Sequence, residues 1–193
     1  MAEDFHSARH WAKEKMMTAL YPGAVCVDAT MGNGHDTLFL CESVGEEGRV
    51  YAFDVQEQAL ENTRERLREA GCLDRARLFL AGHQHMAEYV PEQADLIVFN
   101  LGWLPGMAER SPTLPDTTIT AVNAAVRLLK ETGLLTICVY PGHEEGKVEK
   151  ERLLDWARGL DPVRYDCLYE TYLNQPNSPP SLLCVRRRPE KRK

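Results

Sequence analysis

The segment VDATMGNGHDT, Val27 to Thr37, and the run RVYAFD ending at Asp54 hold the residues whose types and spacing point most directly to chemistry. An apolar run leads into a Gly-x-Gly turn at Gly32 and Gly34, and a second apolar run ends in a carboxylate. Glycines in such a turn let the backbone come close to a ligand. A carboxylate at the tip of the second run can accept two hydrogen bonds from ribose hydroxyls. Asp is also a preferred helix N-cap, and Asp54 can serve both ends at once. A dinucleotide fingerprint would carry a third glycine where Thr37 stands. Asp28, Asn33 and Asp36 surround the turn with groups that repel a diphosphate and suit an ammonium or a sulfonium. These residues favour S-adenosyl-L-methionine over a dinucleotide.

Further candidates follow along the chain. Gln56 stands near the adenine edge in this arrangement, or is a solvated first-turn residue. His83, Gln84 and His85 form a polar loop suited to an adenine contact or to capping the next helix. The H-x-H spacing has no third ligand at metal-binding distance in sequence, so no metal is expected. The run NLGWLPG, Asn100 to Gly106, places an Asn before an aromatic residue and a proline. An Asn side-chain oxygen at the tip of a buried strand can accept hydrogens from a target nitrogen and aim its lone pair. Trp103 can stack on a flat ring, or simply fill the core. Tyr140 and His143 flank a Pro-Gly turn; either can face the substrate and take a proton, or the turn can be a plain loop.

These stations need elements to hold them. Residues 3–20 predict a lead-in helix anchored by Phe5, Trp11 and Leu20. Strands are expected at 24–29, 49–54, 76–80, 94–99 and 133–140, and helices at 36–42, 56–70, 117–130 and 145–159. Gly71 suits the C-terminal cap of the third of these segments counted from the lead-in helix. Two further strands, 163–170 and 181–187, are joined by the turn-rich NQPNSPP. Strand and helix alternate five times and a strand pair follows. The expected fold is therefore α/β and Rossmann-like: a mostly parallel seven-stranded sheet, helices on both faces, and a C-terminal antiparallel pair. Ligands in such sheets bind beyond the carboxyl ends of the strands, and Asp28, Asp54, Gln84, Asn100 and Tyr140 all fall there.

The bulk properties narrow the setting. The chain has 193 residues, which suits a single domain (1–193) with a lead-in helix at 1–20 and a basic tail at 186–193. No apolar run is long enough for a membrane span, and the N-terminal segment lacks the apolar stretch of a secretory signal. Six scattered cysteines with no C-x-x-C pair point to a reducing cytoplasm. The net charge is −6, which favours a small-molecule amine over RNA as acceptor. Against that, the tail RRRPEKRK, with Arg75, Arg77, Arg110, Arg127 and Lys130, offers candidate phosphate contacts.

The NLGWLPG loop resembles the [D/N]-P-P-[Y/F/W] loop of amine-directed methyltransferases, with Leu101-Gly102 in place of the two prolines. As a whole the chain resembles the class I S-adenosylmethionine methyltransferases. More narrowly, it resembles the small bacterial family labelled "putative rRNA methylase". The resemblance rests on VDATMGNGHDT, AFDVQ, NLGWLPG with TTITA, VYPGHEEG and NQPNSPP. It implies methylation of the 5-aminomethyl group of a tRNA wobble (2-thio)uridine, an anticodon arm as partner, and a homodimer. rRNA or a small-molecule amine is the alternative acceptor. It further implies cofactor contacts from Asn33, Asp36, Asp54, Gln56 and the Gln84–His85 loop, with Asn100 at the methyl-transfer centre. Asp28 would support the turn or the methionine ammonium.

Overall fold

The computed structural model describes residues 7–102, 113–142, 144–176 and 178–190. Its chain order is α1 (Ala8–Met17), β1 (Val25–Asp28), α2 (His35–Val44), β2 (Arg49–Asp54), α3 (Glu57–Glu69), β3 (Ala76–Leu80) and α4 (Met86–Tyr89). There follow β4 (Ala94–Asn100), α5 (Pro115–Leu128), β5 (Leu129–Val139), α6 (Glu144–Arg158), β6 (Tyr165–Glu170) and β7 (Ser181–Arg187). The sheet runs β3-β2-β1-β4-β5-β7-β6. The first five strands are parallel, and β7 is antiparallel to both β5 and β6. This is the expected seven-stranded Rossmann-like sheet with its antiparallel end.

The two-residue period of the strands divides the core. Val27, Phe53, Ile97, Phe99, Leu135 and Ile137 point to the side packed by α5 and α6. Their neighbours Cys26, Val50, Leu96, Val98, Leu134 and Cys138 point to the side packed by α1, α2 and α3. Every residue of β1 is buried, and β4 is buried up to Asn100. Such strands read as continuous apolar runs because both faces are covered. The strand order reverses between β1 and β4, which opens a crevice beyond their carboxyl ends.

Most differences from the expected elements lie at their ends. The lead-in helix is Ala8–Met17 within the described residues. Helix α5 stops at Leu128, and β5 starts at Leu129, where a helix reaching residue 130 was expected. The cause is a long-range pairing: Leu129 lies against Ala94, with a register shift before Leu96 meets Leu134. Gly71 does end α3, at φ +66°, with Cys72 N–H bonded to Leu67 O (2.8 Å) and Gly71 N–H to Arg68 O (3.1 Å). That pair of bonds is a Schellman cap.

The described part of the basic tail is built into the sheet. Arg186 donates to Thr132 O and to Thr18 Oγ1, Arg187 to Leu129 O, and Arg188 to Asp166. Arg75, Arg77, Arg127 and Lys130 belong to the same, amino-terminal end of the parallel strands, and Lys130 pairs with Asp95 at 2.7 Å. That end is opposite the crevice. Arg110 and residues 191–193 lie outside the described residues.

Candidate active site

A cavity of about 750 Å³ fills the crevice, within the range usual for small-molecule sites. From the sequence-derived cofactor set, Gly32, Asn33, Asp36, Asp54, Gln56 and Gln84 line it, and so do Asn100 and Tyr140. Asp28, Gly34, Thr37 and His85 do not. Trp103 and His143 lie outside the described residues.

The Gly-x-Gly turn is held from below and from the side. Gly32 has φ +50° and Gly34 φ +77°. Gly32 N–H donates to Asp54 Oδ2 (3.0 Å), and its carbonyl accepts from Thr63 Oγ1 (3.0 Å). Asn62 donates to Asn33 Oδ1 (2.9 Å), and Arg66 Nε donates to Asn33 O (2.7 Å). Helix α3 therefore braces the turn through Asn62, Thr63 and Arg66; Thr63 lies on the apolar face that the sequence pattern predicts, whereas Asn62 and Arg66 look like ordinary helix surface in the sequence. A β-carbon on Gly34 would come within 2.8 Å of Thr63 Cα, so this glycine serves close packing as well as the turn.

Asp54 holds its own loop while facing the cavity. Its Oδ1 accepts from Gln56 N–H at 3.0 Å and its Oδ2 from Gly32 N–H. Burial raises its pKa, opposed by hydrogen bonds from Gln56, Gly32 and Val55. With three N–H donors on about four lone-pair sites, the carboxylate keeps room to accept from a ribose hydroxyl.

Asp28 is fully buried beneath the turn. Thr37 Oγ1 donates to its Oδ2 (2.7 Å) and Thr30 N–H to its Oδ1 (3.1 Å). Burial, with the Asp36 charge next, pushes its pKa up to about 7 against those two hydrogen bonds. A carboxyl whose pKa is raised on folding stabilises most below its unfolded value near 4 and loses that contribution as pH rises towards 7. The loss is on the order of 4 kcal/mol. Urea midpoints at pH 5 and pH 7.5 should therefore fall in wild type by more than in Asp28→Asn. Parallel behaviour of the two proteins would refute this account.

At the tips of β1 and β4 the chain sets an amide. Asn100 N–H donates to Thr30 Oγ1 (2.7 Å), and Asn100 Nδ2 donates to Asp36 Oδ2 (2.7 Å). Arg9 of α1 bridges the other oxygen of Asp36 at 3.1 Å. A carboxylate accepts only, so Asp36 fixes which amide atom faces it and leaves Asn100 Oδ1 as the acceptor at the cavity wall. Tyr140 stands beside it, and burial pushes its hydroxyl up to about 12. It stays protonated at neutral pH, a hydrogen-bonding group more than a base.

The His83–His85 segment is a short 3₁₀ turn. His83 points inward, lines the cavity and packs against Phe99 with ring centroids 5.6 Å apart. Burial pulls its pKa down to about 4, opposed by a hydrogen bond to the Ala29 backbone, so it is neutral. His85 points outward and meets Glu88 at 2.9 Å. The H-x-H spacing gave no means to choose between them. Arg9 and Thr30 also escaped sequence reasoning; Thr30 sits inside the glycine motif and was open to recognition there.

The loop between β4 and α5 is clasped at its base. Thr113 N–H donates to Gly102 O (3.0 Å), and Gly102 N–H donates to Thr113 Oγ1 (3.2 Å). Thr113 Oγ1 in turn donates to Glu149 Oε2 (3.0 Å), and Thr118 Oγ1 to Glu149 Oε1 (2.6 Å). Glu149 is buried on α6.

Residues 50–186, which include the carboxylate of Asp54 and the amide of Asn100, match a family model described as "Putative rRNA methylase". The chain belongs to this family. It is 41% identical to "tRNA (mnm(5)s(2)U34)-methyltransferase, chloroplastic" of Arabidopsis thaliana over 81% of this chain, and spans 61% of that relative. A solved "putative rRNA-methylase" from Clostridium thermocellum superposes with a TM-score of 0.93 at 36% identity, covering 96% of this chain and 100% of that one. "A putative methyltransferase" from Streptococcus mutans, solved in complex with SAH, gives 0.86 at 36% identity over 95% and 99% of the two chains. No helix among the described residues is long and apolar enough to cross a membrane.

Proposed function

We propose that this family member is an S-adenosylmethionine-dependent N-methyltransferase that converts the 5-aminomethyl group of a tRNA wobble uridine to 5-methylaminomethyl. The observation that carries this reading is the amide of Asn100, held by Asp36 so that Oδ1 is left to accept. That is the arrangement a primary amine needs, since its N–H must be drawn aside for the lone pair to point at an electrophile. The relative from Arabidopsis, a "tRNA (mnm(5)s(2)U34)-methyltransferase", supports the tRNA acceptor.

The residues fit the cofactor. Asp54, whose carboxylate lines the cavity with acceptor capacity left, would take a ribose hydroxyl. Gln56 and Gln84 flank the space for the adenine, and Gly32 and Asn33 bring backbone close to the amino-acid end. When bound, the cofactor would supply a sulfonium methyl to the lone pair of the amine nitrogen, the C–S bond breaking with its electron pair kept by sulfur. The chain's part is to bind and orient. Asn100 Oδ1 accepts one amine N–H, Asp36 and Thr30 hold Asn100, and Tyr140 bounds the site. Trp103 is proposed to stack on the uracil ring, and His143 to receive the proton. No cysteine stands in NLGWLPG, as fits nitrogen and not pyrimidine-carbon chemistry.

The cytoplasm and a homodimer complete the proposal. Strand β6 ends the sheet, and Leu168 on it is exposed, as are Val163 before it and Leu173 after it. This is a surface that a second copy could cover.

Methyl transfer into purified tRNA and rRNA, read by nucleoside mass spectrometry, tests the reading. The expected product is 5-methylaminomethyluridine, 2-thiolated or not, from tRNA alone. Incorporation into neither RNA, with a free amine methylated instead, would move the acceptor to a small molecule.

A further inference from the structure

A second opening lies between α1 and α2, with a volume of about 540 Å³. It is separate from the cofactor cavity but shares with it Arg9, His35, Asp36 and Asn100. We infer that this cleft seats a phosphodiester of the RNA whose amine is aligned at Asn100. The inference rests on the RNA reading above and identifies where the backbone of that substrate is gripped.

Charge is the first argument. The chain carries −6 overall, yet the cations Arg9 and Lys13 both line this one cleft, and the rings of His10 and His35 add N–H donors; burial with the nearby Arg66 and Arg9 lowers the His35 pKa, so it acts as a neutral donor. Asp36 is the single carboxylate among the described residues that line it, and Arg9 and the Asn100 amide already occupy it. Lys13 is held in place, its Nζ 4.2 Å over the Phe39 ring. His10 faces Glu14 at 3.5 Å in an exposed pair, the kind that is screened and weak. The amino-terminal end of the ten-residue α1, with Ser7 as its cap, opens on the same space and adds partial positive charge.

Position is the second argument. Asn100 lines both openings, so one molecule can place an amine at Asn100 and an adjoining anion between Arg9 and Lys13. The basic residues that composition alone suggested, Arg75, Arg77, Arg127, Lys130 and Arg186 to Arg188, belong to the far end of the sheet. Among the described residues, α1 supplies cations at the catalytic end.

The test compares wild type with His10→Gln/Lys13→Gln in two measurements. The first is methyl transfer into an anticodon stem-loop at several salt concentrations. Losing the Lys13 and His10 contacts to one phosphate should raise the RNA KM by about 10-fold near physiological salt and reduce the salt slope by about 1. The loss should fall on KM and not on kcat, with the affinity for S-adenosylmethionine as a control for an intact fold. The second is NMR of the His10 and His35 rings during titration with uridine monophosphate and with uridine. The nucleotide, and not the nucleoside, should shift the ring signals in wild type. The stem-loop and the mononucleotide also distinguish a polymer backbone from a free nucleotide as source of the phosphate. If RNA is methylated but the variant matches wild type in KM and slope, the cleft assignment is overturned and the RNA reading stands. If wild type methylates no RNA while the nucleotide still shifts the rings, the phosphate seat stands and the RNA reading falls.

Discussion

Asn100→Ala is expected to lower kcat by about 10²- to 10³-fold, a loss comparable to removing one fixed polar group that acts on the reacting atoms. The affinity for S-adenosylmethionine should change by no more than about two-fold, because the groups assigned to the ribose and adenine, Asp54, Gln56 and Gln84, are untouched. The amide is a good candidate for so selective an effect. Its backbone N–H is held by Thr30 and its Nδ2 by Asp36, so little freedom remains in the acceptor at the cavity wall. Alanine removes that acceptor and also frees Asp36 to bind Arg9 alone. Single-turnover rates with pre-bound cofactor, set beside calorimetric titration, separate the two quantities. Equal losses in both would place Asn100 among the cofactor contacts and remove its role at the amine.

Gly34→Ala should be the most destabilising small substitution in the turn. Two costs add. A left-handed backbone at φ +77° costs an alanine about 1 to 2 kcal/mol. The new methyl would also meet the Thr63 backbone at 2.8 Å, and forcing α3 outward costs a further 1 to 3 kcal/mol or so. A total of about 2 to 5 kcal/mol corresponds to a fall in Tm of roughly 4 to 20 °C for a chain of this size. Gly71→Ala is the control. Its φ is +66°, but nothing lies within 4 Å of the added carbon, so it should lose only the backbone share. Similar melting temperatures for the two variants would mean that α3 does not press on the turn.

Much of this molecule was legible in the chain, and the reasons are local. β2, β3 and β7 have the bounds that their apolar runs and flanking breakers predict, Arg49–Asp54, Ala76–Leu80 and Ser181–Arg187. The convergence of Asp54, Gln84, Asn100 and Tyr140 on one cavity follows from strand order alone. What sequence could not give is direction and distant partnership. Asp28 sits in the same motif as Asp36, yet one carboxylate is buried under the turn and the other faces the cavity. Their spacing fits either use. Glu149 stands in EEGKVEKER, a run that reads as solvated helix surface, and only the packing of α6 on α5 buries it. Arg9 reads as one more charge on a lead-in helix until folding brings it to Asp36. Leu129 extends an apolar helical stripe, and its change to strand depends on Ala94, far away in sequence.

The clasp at Gly102, Thr113 and Glu149 has a consequence for how such an enzyme can diversify. Once the two ends of a loop are tied, the entropy of closing it depends only weakly on its length. The bonds that join Gly102 to Thr113 and Thr113 to Glu149 use only atoms of those three residues, so they do not depend on which side chains positions 103 to 112 carry. Relatives can therefore differ in that stretch of sequence, and in acceptor preference, while inheriting the same knot between β4, α5 and α6.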